Sequence, residues 1–356
     1  MAVEYTIEDL TPERRPAARR IAGWMLALAL ASSSAVGKTR TITGVVLHGD
    51  VRLAATLDLP STKGPHPVVV VVHASGAPER TFAAYRWLAK VLPPRGIGVA
   101  RYDRRGSGAS SGDFERASFP DLASDAEAVV RWLRATRSVD PGRIAIWGMS
   151  QGGWIAPLVA ADDPRIAGLV IVSGAGTTPA EQMIFTARTA LREAGYSESV
   201  VEEAVRLRRA VDEYFAGRRP RAEVERALQF ASSEPWFPLA ALPTGLPEDA
   251  ASSKWYYQFA FDPTPSIDKT SAPVLLLFGQ RDPWIDAAGS IAAWTKRPAG
   301  NVTVQKISGA NHFMAMTTDP AHDLDAEPVS AEYSRVMADW LARVLGVAPS
   351  AKGGAR

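Results

Sequence analysis

The chain of 356 residues contains no cysteine. That absence excludes disulfide scaffolds, thiolate nucleophiles, and zinc or iron–sulfur sites built on sulfur ligands. Histidine is scarce: five residues, at 48, 66, 73, 312 and 322, with no HExxH spacing, so a histidine-built metal site is not expected. An excess of either charge is also missing. Forty Lys and Arg stand against 38 Asp and Glu, a formal net charge of +2, which leaves no electrostatic drive toward nucleic acid. The composition, 46% hydrophobic and 22% charged, is that of a globular protein and excludes collagen, coiled coil and wholesale disorder. The length calls for a large α/β domain with an insertion, or for two domains in tandem.

The first 35 residues read as an address. Arg14, Arg15, Arg19 and Arg20 precede an uncharged run over 21–30, and small residues follow at Ala29, Ala31, Ser33 and Ala35. A basic segment, a short apolar core and a small-residue exit suggest a secretory signal, placing the protein in the periplasm or outside the cell. The apolar run is about half of what spans a bilayer, so no integral membrane span is expected in the mature chain. The alternative is an amphipathic N-terminal helix on a cytoplasmic protein.

From residue 41 the pattern alternates. Segments 41–48 and 51–59 flank Gly49-Asp50 and read as a hairpin. The apolar, β-branched run at 67–73 suits a strand buried on both faces, as in a parallel sheet. Helix 81–91, strand 98–103, helix 122–136, strand 143–147, helix 151–161 and strand 166–172 follow. This rhythm predicts a doubly wound, mostly parallel α/β sheet with right-handed crossovers. It breaks between 177 and 272, where helical patterns at 200–215 and 221–229 precede an aromatic stretch with no convincing strand. A structureless loop of that length is improbable, so an inserted helical domain is expected. The core resumes over 273–346, with strands 273–278 and 301–307 and helices 287–294 and 330–345.

The chemistry points to one place. Gly148-Met149-Ser150-Gln151-Gly152 joins a strand to an apolar helix, the G-x-S-x-G pattern in the context its mechanics require. A serine on so sharp a turn is held out of the sheet, above a helix N-terminus whose free N–H groups suit a developing oxyanion. Serine needs a base, and the base needs an acid to orient it. Asp282, just past strand 273–278, is the expected acid, with Asp286 as its rival. His312 follows the last strand and is the expected base. The oxyanion donors expected are the backbone N–H of Gln151 and of Ser75, in the loop after strand 67–73. His73 is expected to support that loop.

Other signals are weaker. Gly106-Ser-Gly-Ala-Ser-Ser-Gly112 has its third glycine one place late for a dinucleotide loop. Gly37-Lys38-Thr39 lacks the first glycine of a P-loop. The aromatics over 236–261 suit the core of a small helical domain, with two or three of them lining a pocket if that domain covers Ser150.

The elbow at Ser150, the order Ser150, Asp282, His312, and the loop after strand 67–73 together resemble the α/β-hydrolase family. The resemblance is to its bacterial serine esterases and its dienelactone-hydrolase-like or prolyl-oligopeptidase-like relatives, and it covers about 41–176 and 273–346. Asp103-Arg104-Arg105-Gly106 resembles the family's structural turn, and 177–272 stands where the family carries a cap. Ala74 occupies a position where relatives usually have glycine. The resemblance implies hydrolysis of a small-molecule carboxylic ester through an acyl-enzyme, with no cofactor. An amidase, lactonase or acyltransferase would use the same triad. A binding protein of this fold would lack an activated serine. The sequence leaves the oligomeric state open.

Overall fold

Residues 67–72 are one proline and five valines, and a strand of that composition must be covered on both faces. In the computed structural model, which describes residues 39–317 and 329–348, it is. Strand β3 (His66–Val72) sends Val68, Val70 and Val72 into one apolar cluster and Val69 and Val71 into another. The export segment expected over 1–35, and His322, lie outside the described residues.

The other strands are β1 (Thr39–His48), β2 (Val51–Pro60), β4 (Gly98–Tyr102), β5 (Val139–Met149), β6 (Ile166–Val172), β7 (Val274–Gly279) and β8 (Val302–Ile307). They form one eight-stranded sheet in the order β1-β2-β4-β3-β5-β6-β7-β8. The hairpin β1–β2 is antiparallel, β2 pairs antiparallel with β4, and every later pairing is parallel. The chain passes from β3 to β4 on one side, then returns to place β5 on the other side of β3. Beyond the carboxyl ends of the strands at such a reversal, here β3 and β5, is the usual ligand position in sheets of this kind.

Helices cover both faces. Helix α1 (Ala83–Val91) and the C-terminal helix place Tyr85, Leu88, Met337 and Trp340 on the Val69 side. Helices α2 (Phe119–Arg134) and α3 (Gly152–Asp162) pack on the Val68 side. Ser118 and Asp121 begin α2 with a reciprocal capping box, which satisfies two otherwise orphaned N–H groups. The eight-stranded open sheet with helices on both faces is an α/β-hydrolase fold.

Between β6 and β7 the chain leaves the sheet and forms α4 (Pro179–Glu193), α5 (Glu198–Phe215), α6 (Arg221–Ala231), α7 (Lys254–Gln258) and α8 (Thr264–Lys269). Leu191, Val211, Phe215, Leu228, Trp236 and Phe259 share a separate apolar cluster there. Phe261, Ile267 and Ala272 pack with the main core instead, so burial divides the segment near residue 260. Helices α9 (Ala287–Thr295) and α10 (Ala331–Val344) complete the set. Among the described residues no helix is long and apolar enough to cross a membrane.

Phe278 of β7 is 1% exposed in the main cluster. Phe278→Ala should cost about 3–5 kcal/mol of folding stability, read from the denaturant midpoint. A loss below about 1 kcal/mol would contradict the packing described.

Candidate active site

Strand β5 ends at Met149 and α3 begins at Gly152, so Ser150 and Gln151 make the whole turn. Ser150 has φ +52°, a left-handed backbone that a residue bearing a Cβ adopts only under constraint. The constraint is visible. Its N–H donates to the Val172 carbonyl at 2.9 Å, and its own carbonyl accepts from Gly153 N–H at 2.8 Å. The turn is also too tight for flanking side chains: a Cβ on Gly148 would lie 2.5 Å from the Gly152 carbonyl oxygen, and one on Gly152 would lie 2.6 Å from that of Val72.

Asp282 and His312 meet directly. His312 Nδ1 lies 2.8 Å from Asp282 Oδ2, with both side chains nearly inaccessible. A carboxylate only accepts, so the proton sits on Nδ1 and the lone pair on Nε2 remains free for a proton from elsewhere. Asp282 Oδ1 accepts from Trp284 N–H at 2.9 Å, which fixes the second carboxylate oxygen. The rival, Asp286, is engaged otherwise: it caps α9 through Gly289 N–H.

The end of β6 ties this pair to the elbow. Val172 accepts from Ser150, and the hydroxyl of the next residue, Ser173, donates to the His312 carbonyl at 2.8 Å. Among the described residues no hydrogen bond joins the Ser150 side chain to His312. Catalytic contacts of this kind commonly tighten only when substrate is bound.

The loop after β3 is set by Tyr85. Its hydroxyl accepts from Ala74 N–H at 2.8 Å and donates to the Ala77 carbonyl at 3.0 Å. Ala74, where glycine was expected, buries its methyl group beside Ala77 and Tyr85. With Ala74 N–H and Ala77 N–H occupied, the donors left in this loop are Ser75 N–H and Gly76 N–H. Among the described residues neither Ser75 N–H nor Gln151 N–H has an acceptor. His73 is buried and donates through Nε2 to the Tyr102 carbonyl at 2.6 Å. Burial, and then the nearby Arg104 charge, push its pKa down to about 3, so it is a neutral prop for the loop.

Three contributors escaped the sequence reading. Trp284 lies over the His312 ring with centroids 4.7 Å apart, and its carbonyl accepts from Gln182 and Thr186 of α4. Gln258 of α7 accepts from Gln151 Nε2 at 3.2 Å and donates to the Ala117 carbonyl at 2.9 Å. Arg104 donates to Gln151 Oε1 at 3.2 Å. No spacing in the sequence signals these contacts, because each joins segments far apart in the chain. The glycine-rich run 106–112 forms a turn around Asp103, which accepts from Ala109 N–H.

A family model described as X-Pro dipeptidyl-peptidase (S15 family) matches residues 48–313, well over half of the chain. The quorum-quenching protein AidA of Acinetobacter baumannii is 32% identical over 125 residues, covering 34% of this chain and 40% of AidA. The chain therefore spans well under half the length of that relative. Among solved structures, Est1E from Butyrivibrio proteoclasticus with bound ferulic acid aligns with a TM-score of 0.53 at 16% identity, covering 84% of this chain and 96% of Est1E. The α/β hydrolase GrgF from Penicillium aligns with a TM-score of 0.55 at 18% identity, covering 87% and 99%. At these identities the structural matches speak for the fold.

His73 gives a pH prediction. Its ordinary pKa of 6.5 falls to about 3 on folding, so between those values the unfolded chain binds a proton that the folded chain refuses. Stability contributed by neutral His73 should be full above pH 6.5 and decline toward pH 3, by up to about 1.4 kcal/mol per pH unit. Urea unfolding at about pH 7.5 and about pH 5.5, one unit either side of the ordinary value, should show this decline. His73→Asn should flatten it; an unchanged slope would assign it to other groups.

Proposed function

The chain belongs to the X-Pro dipeptidyl-peptidase (S15) family, and on that premise we propose that it is a serine carboxylesterase acting on small or medium-sized esters. The observation that carries this reading is the buried Asp282–His312 hydrogen bond, tethered through β6 to a serine on a strained elbow. Ser150 attacks the ester carbonyl while His312 Nε2 takes its proton. The oxygen becomes an oxyanion between the N–H groups of Gln151 and Ser75. His312, now charged and stabilised by Asp282, gives the proton to the leaving alcohol. Water then repeats the sequence on the acyl-enzyme and releases the acid. These steps require no group beyond the named residues and water.

Two features favour an ester over an X-Pro peptide. A dipeptidyl-peptidase must hold a protonated α-amine, which calls for a free carboxylate in the site. Among the described residues Asp103 is bound to Arg80 and Glu115 to Lys254, and the charge touching Gln151 is the Arg104 guanidinium. Beside His312, Trp284 is 36% exposed and Phe313 packs against both rings, an apolar wall suited to an uncharged leaving group. The inserted helices serve as a cap in this reading, because Gln258 and α4 bond to residues of the site.

Hydrolysis of p-nitrophenyl esters of increasing acyl length, beside glycyl-prolyl p-nitroanilide, tests the reading. Short esters should be the better substrates, and Ser150→Ala should lower kcat by about 10⁴-fold or more. Asp282→Asn should cost roughly 10⁴-fold, while Asp286→Asn should leave kcat within about threefold of the parent. Preference for the anilide would replace the esterase with a peptidase, and full activity in Ser150→Ala would remove the nucleophile.

A further inference from the structure

The segment from β4 to α2 is rich in arginine, and its arginines are not alike. Arg101 pairs with Asp58 and Arg105 bidentately with Asp125, while Asp103 is taken by Arg80 from the loop before α1. Arg104 is 5% exposed, yet among the described residues it has no carboxylate partner. Its Nη1 donates to the Ser75 carbonyl at 3.1 Å and to Gln151 Oε1 at 3.2 Å, with the Ala74 carbonyl at 3.5 Å. Its Nε is buried with no acceptor. The guanidinium lies 3.4 Å from the centroid of the Phe114 ring, whose π-face offsets part of the desolvation. A buried cation without a counter-ion is costly, and an arginine serving only to brace the loop would be cheaper beside an acid.

Building on the nucleophile reading of Ser150, we propose that Arg104 is a positioning residue that fixes and charges the oxyanion hole from behind. Its hydrogen bonds go to the loop after β3, at Ala74 and Ser75, and to Gln151, the two segments that supply the donors. The Ala74 carbonyl belongs to the peptide of Ser75 N–H and the Ser75 carbonyl to that of Gly76 N–H, so a cation on that side orients both peptides and polarises their N–H groups outward. On the other side, Arg104 only donates, so Gln151 must present Oε1 to it and Nε2 to Gln258. That fixes the residue after the nucleophile between the sheet and α7. Among the described residues the guanidinium is ion-paired with no acid, and the side chain is buried. It therefore acts on the oxygen once that oxygen becomes negative and much less on the neutral ester. Burial lowers the Arg104 pKa to about 10, which leaves it protonated at neutral pH.

The test compares Arg104→Met, Arg104→Gln and Arg104→Lys with the parent, on p-nitrophenyl acetate, with active enzyme counted by complete fluorophosphonate labelling. Per active site, Arg104→Met should lose on the order of 10–100-fold in kcat with KM within about twofold. Arg104→Lys, which keeps the charge, should retain more activity than Arg104→Gln, which keeps hydrogen bonding without it. A trifluoromethyl ketone, whose adduct with Ser150 carries an oxyanion, should weaken by the same factor as kcat/KM. If Arg104→Met does not fold, the Lys and Gln variants carry the comparison. An unchanged kcat in Arg104→Met overturns the proposal. So do equal losses in the Lys and Gln variants, which mark a brace. A rise confined to KM, and largest for p-nitrophenyl hemisuccinate, assigns Arg104 to binding a substrate carboxylate instead. Ser150→Ala is run alongside: if it is inactive while Arg104→Met is not, only the Arg104 inference falls.

Discussion

The close crossing of β5, α3 and the end of β3 is the constraint on which the site depends. Gly148 and Gly152 let the strand end and the helix start approach to a distance no side chain would permit. The turn between them then has one arrangement open to it, and Ser150 is forced into a positive φ. The Val172 carbonyl catches its N–H, so the elbow is registered against β6 as well. Strain at a single residue is tolerable because the surrounding sheet over-determines it. The other groups of the candidate site are positioned relative to this crossing: Ser75 in the loop that follows β3, and His312 through the hydroxyl of Ser173.

Around the crossing, polar groups differ in what holds them. Asp282 and His312 are buried and bonded to each other, and His73 is neutral and bonded to backbone. Tyr85 ties down both ends of the loop from Ala74 to Ala77. The contacts made by Gln258, Gln182 and Thr186 come from outside the sheet domain. Ser150, Asp282 and His312 are therefore held by the sheet domain, while the inserted helices supply part of what surrounds them. This division suits a site that must keep sub-ångström geometry while admitting substrate.

Much of this was legible in the sequence because the signals were local. A run of valines announces a strand buried twice, and glycines either side of Met149, Ser150 and Gln151 announce a tight turn before a helix. Helix α4 was missed for a physical reason: it buries only Pro179, Ala187 and Leu191, too few for a 3.6-residue apolar period to stand out. Its Thr178–Glu181 capping box was the available clue. The choice between Asp282 and Asp286 could not be made from spacing, since both follow β7 and only one faces His312. Arg104 looked like part of a structural turn. Among the described residues Arg105 is ion-paired with Asp125 while Arg104 has no carboxylate within ion-pair distance, which is a property of space and not of the chain.

Trp284 shows what this architecture permits. Its backbone N–H holds Asp282, its ring lies against the His312 imidazole, and its carbonyl is gripped by two side chains of α4. The inserted helices carry their own apolar cluster and reach the site's machinery through Trp284 and Gln258. An insertion of different shape could be grafted between the same strands if it offered two hydrogen-bond donors to the one and a glutamine-like amide to the other. The scaffold is modular in the engineering sense: its sockets are few, polar and placed beside the chemistry. Selection can thus exchange specificity wholesale without reopening the geometry of the reacting atoms.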